Sequence, residues 1–406
     1  MEKVLTGDLR LRQNELFDLQ SKALKNLPSK SELEEKFHNF QYESLLIKTL
    51  FEGKPKFDRT GVATIGIHGH QSKFNLDDGF PLITTKKVHL KSVIHELLWL
   101  VRGETNIKYL VENGVSIWSD WPLKYYNQQK KEAAQFHASM SGTDIAQCES
   151  DSVQNISLKE FHEKILNERG FAEEWGELGP VYGKQWRGWE KSNPWVHDGN
   201  FIHHTVPIDQ LQQVIDTINK QYQTGVISRR MLVTAWNPSD LEEMIKAGLP
   251  PCHCLFQFHS RLLTFEERRK YWAKVNQKDF SYVQKMDDNL LDKVGAPVYE
   301  LDLQLYQRSC DSFLGVPFNI ASYTMLLMMV AQVTNCKPGT FIHDYGDLHI
   351  YSNHIDQVVE QLSRAPYKYP TMKLKNHGQK IDEFRFDDFL LEDYISHPTI
   401  KAPVAV

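Results

Sequence analysis

Cysteine is sparse in this sequence: five residues, Cys148, Cys252, Cys254, Cys310 and Cys336, in a chain of 406. An odd number spread so thinly is not the disulfide framework of a small secreted domain, and it reads as reduced thiols in a cytoplasmic setting. Long apolar runs are missing too. The longest, MLLMMVA at 325–331, falls far short of the roughly 20 residues that span a bilayer. The opening MEKVLTGDLRLRQNELFDLQ mixes charges with apolar residues and lacks the unbroken apolar core of a signal peptide. Positive charge is not in excess either. A net charge of -5 offers no broad nucleic-acid footprint, so any anion site has to be a local cluster.

What is present suits an ordinary globular protein, with 41% hydrophobic and 24% charged residues and enough length for a full core. Residues 1–37 form a Lys-, Glu-, Leu- and Gln-rich extension, expected to be helical or disordered. The compact domain is expected over 38–406, with polar, helix-prone insertions at about 122–174 and 261–299. NFQYESLLIKTLFEG (39–53) and KSVIHELLWLVRG (91–103) have helical periodicity, each closed by a glycine. ATIGIHGHQSKFNL between them suggests a twisted or bulged hairpin. Strands are expected at 229–237, 252–260, 300–309 and 341–352, and a long apolar helix at ASYTMLLMMVAQVT. The fold class is α+β around one mixed, twisted sheet.

LPPCHCLFQF (249–258) places two cysteines and a histidine together. Strand alternation sets Cys252 and Cys254 on one side and His253 on the other, which is a poor start for a tetrahedral zinc site, and no second ligand pair exists. Cys254 reads as a core residue. Cys252, presented by Pro250 and Pro251, could be core or a nucleophile, and a nucleophile needs positive charge nearby. YQRSCD (306–311) offers Arg308 and Ser309, FDRTG (57–61) offers Arg59, and SRR (228–230) offers Arg229 and Arg230. Each alone is a turn or a charged strand end, but together they could hold a dianion. Glu96 falls at the edge of an apolar helical arc, where desolvation raises a carboxyl pKa and suits it to proton relay. A glutamate reaching water is the bland alternative. Asn319 in PFNIASY can donate and accept at once, and His349 and Tyr351 share one strand face.

These blocks resemble the thymidylate synthase family. The likeness runs in order through DRTGVATIGIHGHQSKFNLDDGFPLITTKKVHLKSVIHELLWLVRGETNIKYL, SIWSDW, GELGPVYGKQWRGW, SRRMLVTAWNP, LPPCHCLFQF, QLYQRSCDSFLGVPFNIASY, GDLHIYSNH and KAPVAV, about two thirds of the chain. The resemblance implies a methyltransferase that makes dTMP and dihydrofolate from dUMP and 5,10-methylenetetrahydrofolate. It implies Cys252 as the nucleophile toward C6, with Arg308 favouring its thiolate, and Glu96 and Tyr182 in proton transfers. For dUMP it implies Arg59, Arg308, Ser309, Cys310 and Asp311 with Asn319 on the base and His349, Ile350 and Tyr351 at the ribose. Arg229 and Arg230 would be donated to the neighbouring subunit of a homodimer built on the sheet face. For the folate it implies Asp311, His89, Ile117, Trp118, Trp121, Leu249, Gly315 and Phe318, closed by a tail ending Ala405 and Val406. It requires no metal, flavin or nicotinamide.

Asp344 departs from the family pattern, in which small or uncharged residues are more usual. A pyrimidine nucleotide hydroxymethylase would share the cysteine and the folate but end the reaction with water. Asn319 favours uracil over cytosine, where relatives tend to carry Asp. A nucleotide- or RNA-binding regulator that has lost catalysis is the alternative from another class.

Overall fold

The computed structural model describes residues 2–57, 61–141, 155–197, 200–246, 250–375 and 380–404. The first helices are α1 (Glu2–Lys25), α2 (Lys30–Lys36), α3 (Gln41–Glu52) and α4 (Leu90–Val101). The described strands are β1 (Lys54–Lys56), β2 (Thr64–Asn75), β3 (Trp189–His197), β4 (Asn200–Ile208), β5 (Leu232–Thr234), β6 (His253–Leu262), β7 (Tyr299–Asp311), β8 (Lys337–Tyr351), β9 (Thr371–Leu374) and β10 (Phe389–Glu392). The chain gathers into two compact units: Met1–Val93, Gln213–Val233 and Cys252–Val406 in one, Ile94–Gln212 and Thr234–Pro251 in the other.

The first unit is organised by a six-stranded sheet in the order β1-β2-β8-β7-β6-β5. β7 and β8 run parallel, whereas β1/β2, β2/β8 and β6/β7 are antiparallel, so the sheet is mixed as expected. A parallel pair needs a crossover, and the helix Gly315–Val333 supplies it. This helix packs on β7 and β8 and is buried over most of its length, which accounts for a composition apolar enough to cross a membrane.

Two expectations change. The segment 63–76 is one long strand rather than a hairpin, because the 15-residue β8 offers a partner on both sides of its glycine. Thus His68 pairs with Asp347 and His70 with Tyr345, while Gly69 between them takes φ +78°. Gly53 ends α3 as expected but in extended backbone, φ -62°. Space demands glycine there: a Cβ would lie 2.3 Å from the Thr49 carbonyl oxygen and 2.6 Å from Ile65 Cγ2. Gly103, after α4, has the left-handed φ of +73° that favours glycine at a helix end.

The segment 261–299 is more than a polar surface excursion. Its helices Phe265–Val275, Phe280–Val283 and Asp288–Lys293 enclose a small core of Ala273, Val283, Met286, Leu291 and Ala296. In the second unit, the helices Asp120–Ser141, Leu158–Asn167 and Arg169–Trp175 also have their own packing. Tyr126 meets Trp175 and Phe171 edge-on at 4.9 and 5.2 Å. β3 and β4 form a separate hairpin.

Candidate active site

Cys252 stands at the entrance to β6, partly exposed, and its carbonyl accepts the Arg308 N–H at 2.9 Å. The cysteine backbone is thereby fastened to β7. None of Cys252, Cys254, Cys310 and Cys336 is in a disulfide. Burial pushes the thiols of Cys254, Cys310 and Cys336 up, that of Cys310 well above its usual range. Among the described cysteines, only Cys252 keeps partial exposure. The β6/β7 register slips between His253 and Leu255, so the simple alternation expected of this stretch is broken at Cys254.

His253 is a residue that the sequence singled out only as a metal candidate. Its ring meets Tyr323 edge-on at 5.3 Å and lies beside the Asn319 amide. Burial pushes the imidazole down to about 4, against the pull of that neighbouring amide, so it is neutral at pH 7. Asn319 lies early in the helix Gly315–Val333 and is buried. Its Oδ1 is itself buried and has no hydrogen-bond partner among the described residues. A buried acceptor left open in this way suits a ligand N–H. Gly315 leaves room beside it: a Cβ there would lie 3.8 Å from both Asn319 Oδ1 and Asp311 Cβ.

Asp311 ends β7, and its Oδ1 accepts the N–H groups of Phe313 and Leu314 at 3.0 and 3.2 Å, shaping the turn into that helix. Arg308 and Ser309 are half-buried on the same strand, whereas Cys310 points into the core. On β8, His349 Nδ1 lies 3.1 Å from the Asp347 carbonyl oxygen, and its ring meets Tyr351 edge-on at 5.0 Å. Ile350 is fully buried, which leaves its backbone as the part able to meet a ligand. His354 is a further residue the sequence did not flag. It is buried, with Nδ1 3.8 Å from Asp311, and its Nε2, 2.7 Å from the Pro403 carbonyl oxygen, holds the C-terminal segment.

Beside these residues lies a mainly apolar cavity of about 360 Å³ lined by Lys86, Val88, His89, Leu314, Phe318 and Ile400, among others. That is a volume typical of small-molecule sites. His89 and Phe318, both expected at the folate, line this cavity together with Lys86, which the sequence did not single out. Its amine donates to the Phe313 carbonyl and lies 3.3 Å from the centre of that ring. Burial pushes it down to about 7, with Asp311 pulling the other way.

The second unit carries Glu96, Ile117, Trp118, Trp121 and Tyr182. The Trp118 indole N–H donates to Glu96 Oε1 at 2.6 Å. Trp118 in turn meets Trp121 at 6.1 Å and Tyr182 at 5.8 Å, with Ile117 half-buried next in the chain. Glu96 retains some access to solvent, yet desolvation outweighs the indole bond and pushes its carboxyl up to about 7. Such a group can hold or release a proton near neutral pH.

Arg229 and Arg230 are exposed just before β5, where Gln257 donates to the Arg229 carbonyl at 3.1 Å. Arg59, Leu249, Ala405 and Val406 lie outside the described residues.

The thymidylate synthase family model matches residues 40–406. The thymidylate synthase of Mycoplasma mobile is 43% identical over 366 residues, 90% of this chain and 99% of the relative. That of Malacoplasma penetrans is 41% identical over 366 residues with the same shares covered. The thymidylate synthase of Phytoplasma mali is 40% identical over 365 residues.

Proposed function

Because the chain belongs to the thymidylate synthase family, we propose that Cys252 is the nucleophile with which it methylates dUMP. The enzyme converts dUMP and 5,10-methylenetetrahydrofolate into dTMP and dihydrofolate. The Cys252 thiolate adds to C6 of the pyrimidine, and the displaced electron pair makes C5 nucleophilic. Its partial exposure, beside three cysteines whose burial disfavours ionisation, is the observation that carries this assignment. Arg308 favours the thiolate and, with Ser309 and Arg59, binds the phosphate.

Asn319 reads the base. Its open Oδ1 suits the N3–H of uracil, and neutral His253 fixes the amide. His349 and Tyr351 hold the ribose, while the backbone at Cys310, Asp311 and Ile350 lines the nucleotide. The folate supplies both the one-carbon unit and the hydride. The cavity fits a flat ring system, held by Asp311, His89, Gly315 and Phe318. Ile117, Trp118, Trp121 and Leu249 add apolar surface, and the segment ending at Ala405 excludes water. Glu96 moves protons to and from the pyrimidine carbonyl and the folate, and Tyr182 assists removal of the C5 proton.

The enzyme acts as a homodimer through the open sheet face, each subunit donating Arg229 and Arg230 to its neighbour's phosphate. Exposed Tyr306 on that face and the exposure of both arginines support this arrangement. The thiols outside disulfides fit a reducing, cytoplasmic compartment. The test follows tritium release from C5-tritiated dUMP together with dihydrofolate absorbance. Equal amounts of both are expected. Tritium release without dihydrofolate would mean hydroxymethylation instead, and neither signal with nucleotide bound would mean a silent regulator.

A further inference from the structure

Two neighbouring residues of α3, Tyr42 and Glu43, are buried and polar. The Tyr42 hydroxyl donates to the Ser312 carbonyl at 3.0 Å, in the turn from Asp311 into the helix Gly315–Val333. Glu43 Oε1 accepts the Thr85 hydroxyl at 2.7 Å. Thr85 is held further by the Gln361 amide, which donates to its hydroxyl oxygen at 2.8 Å, and by Arg364, which donates to its carbonyl at 2.8 Å. Its neighbour Lys86 donates to the carbonyl of Phe313, one residue beyond Ser312.

A ring thus closes through Tyr42, Ser312, Phe313, Lys86, Thr85 and Glu43. The apolar cavity draws its lining from the segments that follow the two anchors: Lys86, Val88 and His89 after Thr85, Leu314 and Phe318 after Ser312. Glu43 is an expensive residue for the core. Burial pushes its carboxyl up to about 7, with Thr85 and Lys86 pulling the other way. Its Oε2 is buried with no hydrogen-bond partner among the described residues, a state that destabilises a fold. Next to it in α3, Leu45, Leu46, Ile47 and Leu50 are fully buried, so an apolar side chain would suit the packing. What the carboxyl adds is the link to Thr85.

We infer that Glu43 is a positioning residue for the folate: through Thr85 it fixes the Lys86–His89 segment against the turn that Tyr42 holds. The inference rests on the reading of this cavity as the folate site. Glu43 does not line the cavity itself, so its effect has to pass through Thr85. A wall fixed in advance loses less conformational freedom when a ligand binds.

The experiment measures the dUMP Kd, the KM of each substrate, kcat and the denaturant midpoint in the full-length chain. Glu43→Leu is expected to raise the KM for methylenetetrahydrofolate about two- to ten-fold, the range for one lost hydrogen bond. The dUMP Kd and kcat stay unchanged. Glu43→Gln recovers most of the loss, because its amide oxygen still accepts the Thr85 hydroxyl. Thr85→Val, which also loses the Gln361 bond, gives at least the same rise, and in that background Glu43→Leu adds nothing further. A structural role alone would lower the midpoint and move both substrates together. An unchanged folate KM in Glu43→Leu, equal rises for the two substrates, or full additivity with Thr85→Val would each overturn the inference. Should Glu43→Leu fail to fold, Thr85→Val cuts the same link, and an unchanged folate KM there overturns it. Phe318→Ala separates the two levels. If it leaves the folate KM intact, the cavity reading fails and the inference with it. If it raises that KM while Glu43→Leu does not, only the positioning role is lost.

Discussion

Glu96 holds its proton more tightly in the folded chain than in the unfolded one, because desolvation raises its pKa from 4.5 to about 7. Between those values the folded state keeps a proton that the unfolded state has released. Stability therefore falls as pH rises through that window and levels off above it, a loss of roughly 3 kcal/mol by pH 8. Glu96→Gln removes the titration, so relative to wild type it should gain about that much stability between pH 5 and pH 8 while losing turnover. Denaturant titrations at the two pH values check this, and a difference independent of pH would refute the assignment. Cys252→Ser should abolish tritium release and leave dUMP binding largely intact; a nearly unimpaired variant would remove Cys252 from its role. Asn319→Asp should shift preference toward the cytosine nucleotide, read as a ratio of kcat/KM values. The prolines before Cys252 let the sequence rank it above Cys254 as a candidate, and the apolar arc of α4 exposed Glu96. His354 and Lys86 left no local signal, since their partners Pro403 and Phe313 lie 49 and 227 residues away.

The elements were legible wherever hydrophobic alternation ran unbroken. β6, β7 and β8 fall close to their expected positions because one face of each packs on a helix while the other stays open. β5 shrank from nine expected residues to three: Met231, Val233 and Ala235 keep the alternate burial of a strand, while the ladder covers only Leu232–Thr234. β2 was misread because a glycine usually marks a turn, whereas here the longer β8 holds both halves in one line. The junction between α3 and β1 supplies a test at this scale. Gly53→Ala pushes a methyl against a carbonyl and against Ile65, with no flexible side-chain tip alone to yield. A loss of more than about 2 kcal/mol is expected, measured as a lower midpoint in denaturant. His354→Leu, which removes the hydrogen bond to the Pro403 carbonyl, should raise the KM for the folate more than that for dUMP.

The whole molecule shows why Asp344 tolerates its position. Its carboxylate accepts the amides of Gln71 at 2.7 Å and Gln304 at 2.5 Å. β2, β8 and β7 are thus laced together across the open face of the sheet. If that face joins two subunits, mixing Arg230→Ala with Cys252→Ser chains should restore about a quarter of wild-type activity. Random pairing leaves one complete site in each mixed dimer. Controlled unfolding and refolding of the mixture allows exchange, and no recovery after verified exchange would exclude a shared site. The sheet order also dictates a timetable for the growing polypeptide. β2 finds its only inner neighbour in β8, about 260 residues further along, which the ribosome reaches roughly 15–50 s later. Until then one long strand edge of the central sheet stays open, so the nascent chain is most exposed to wrong pairing in the middle of its synthesis, when β2 is complete and β8 has not been made.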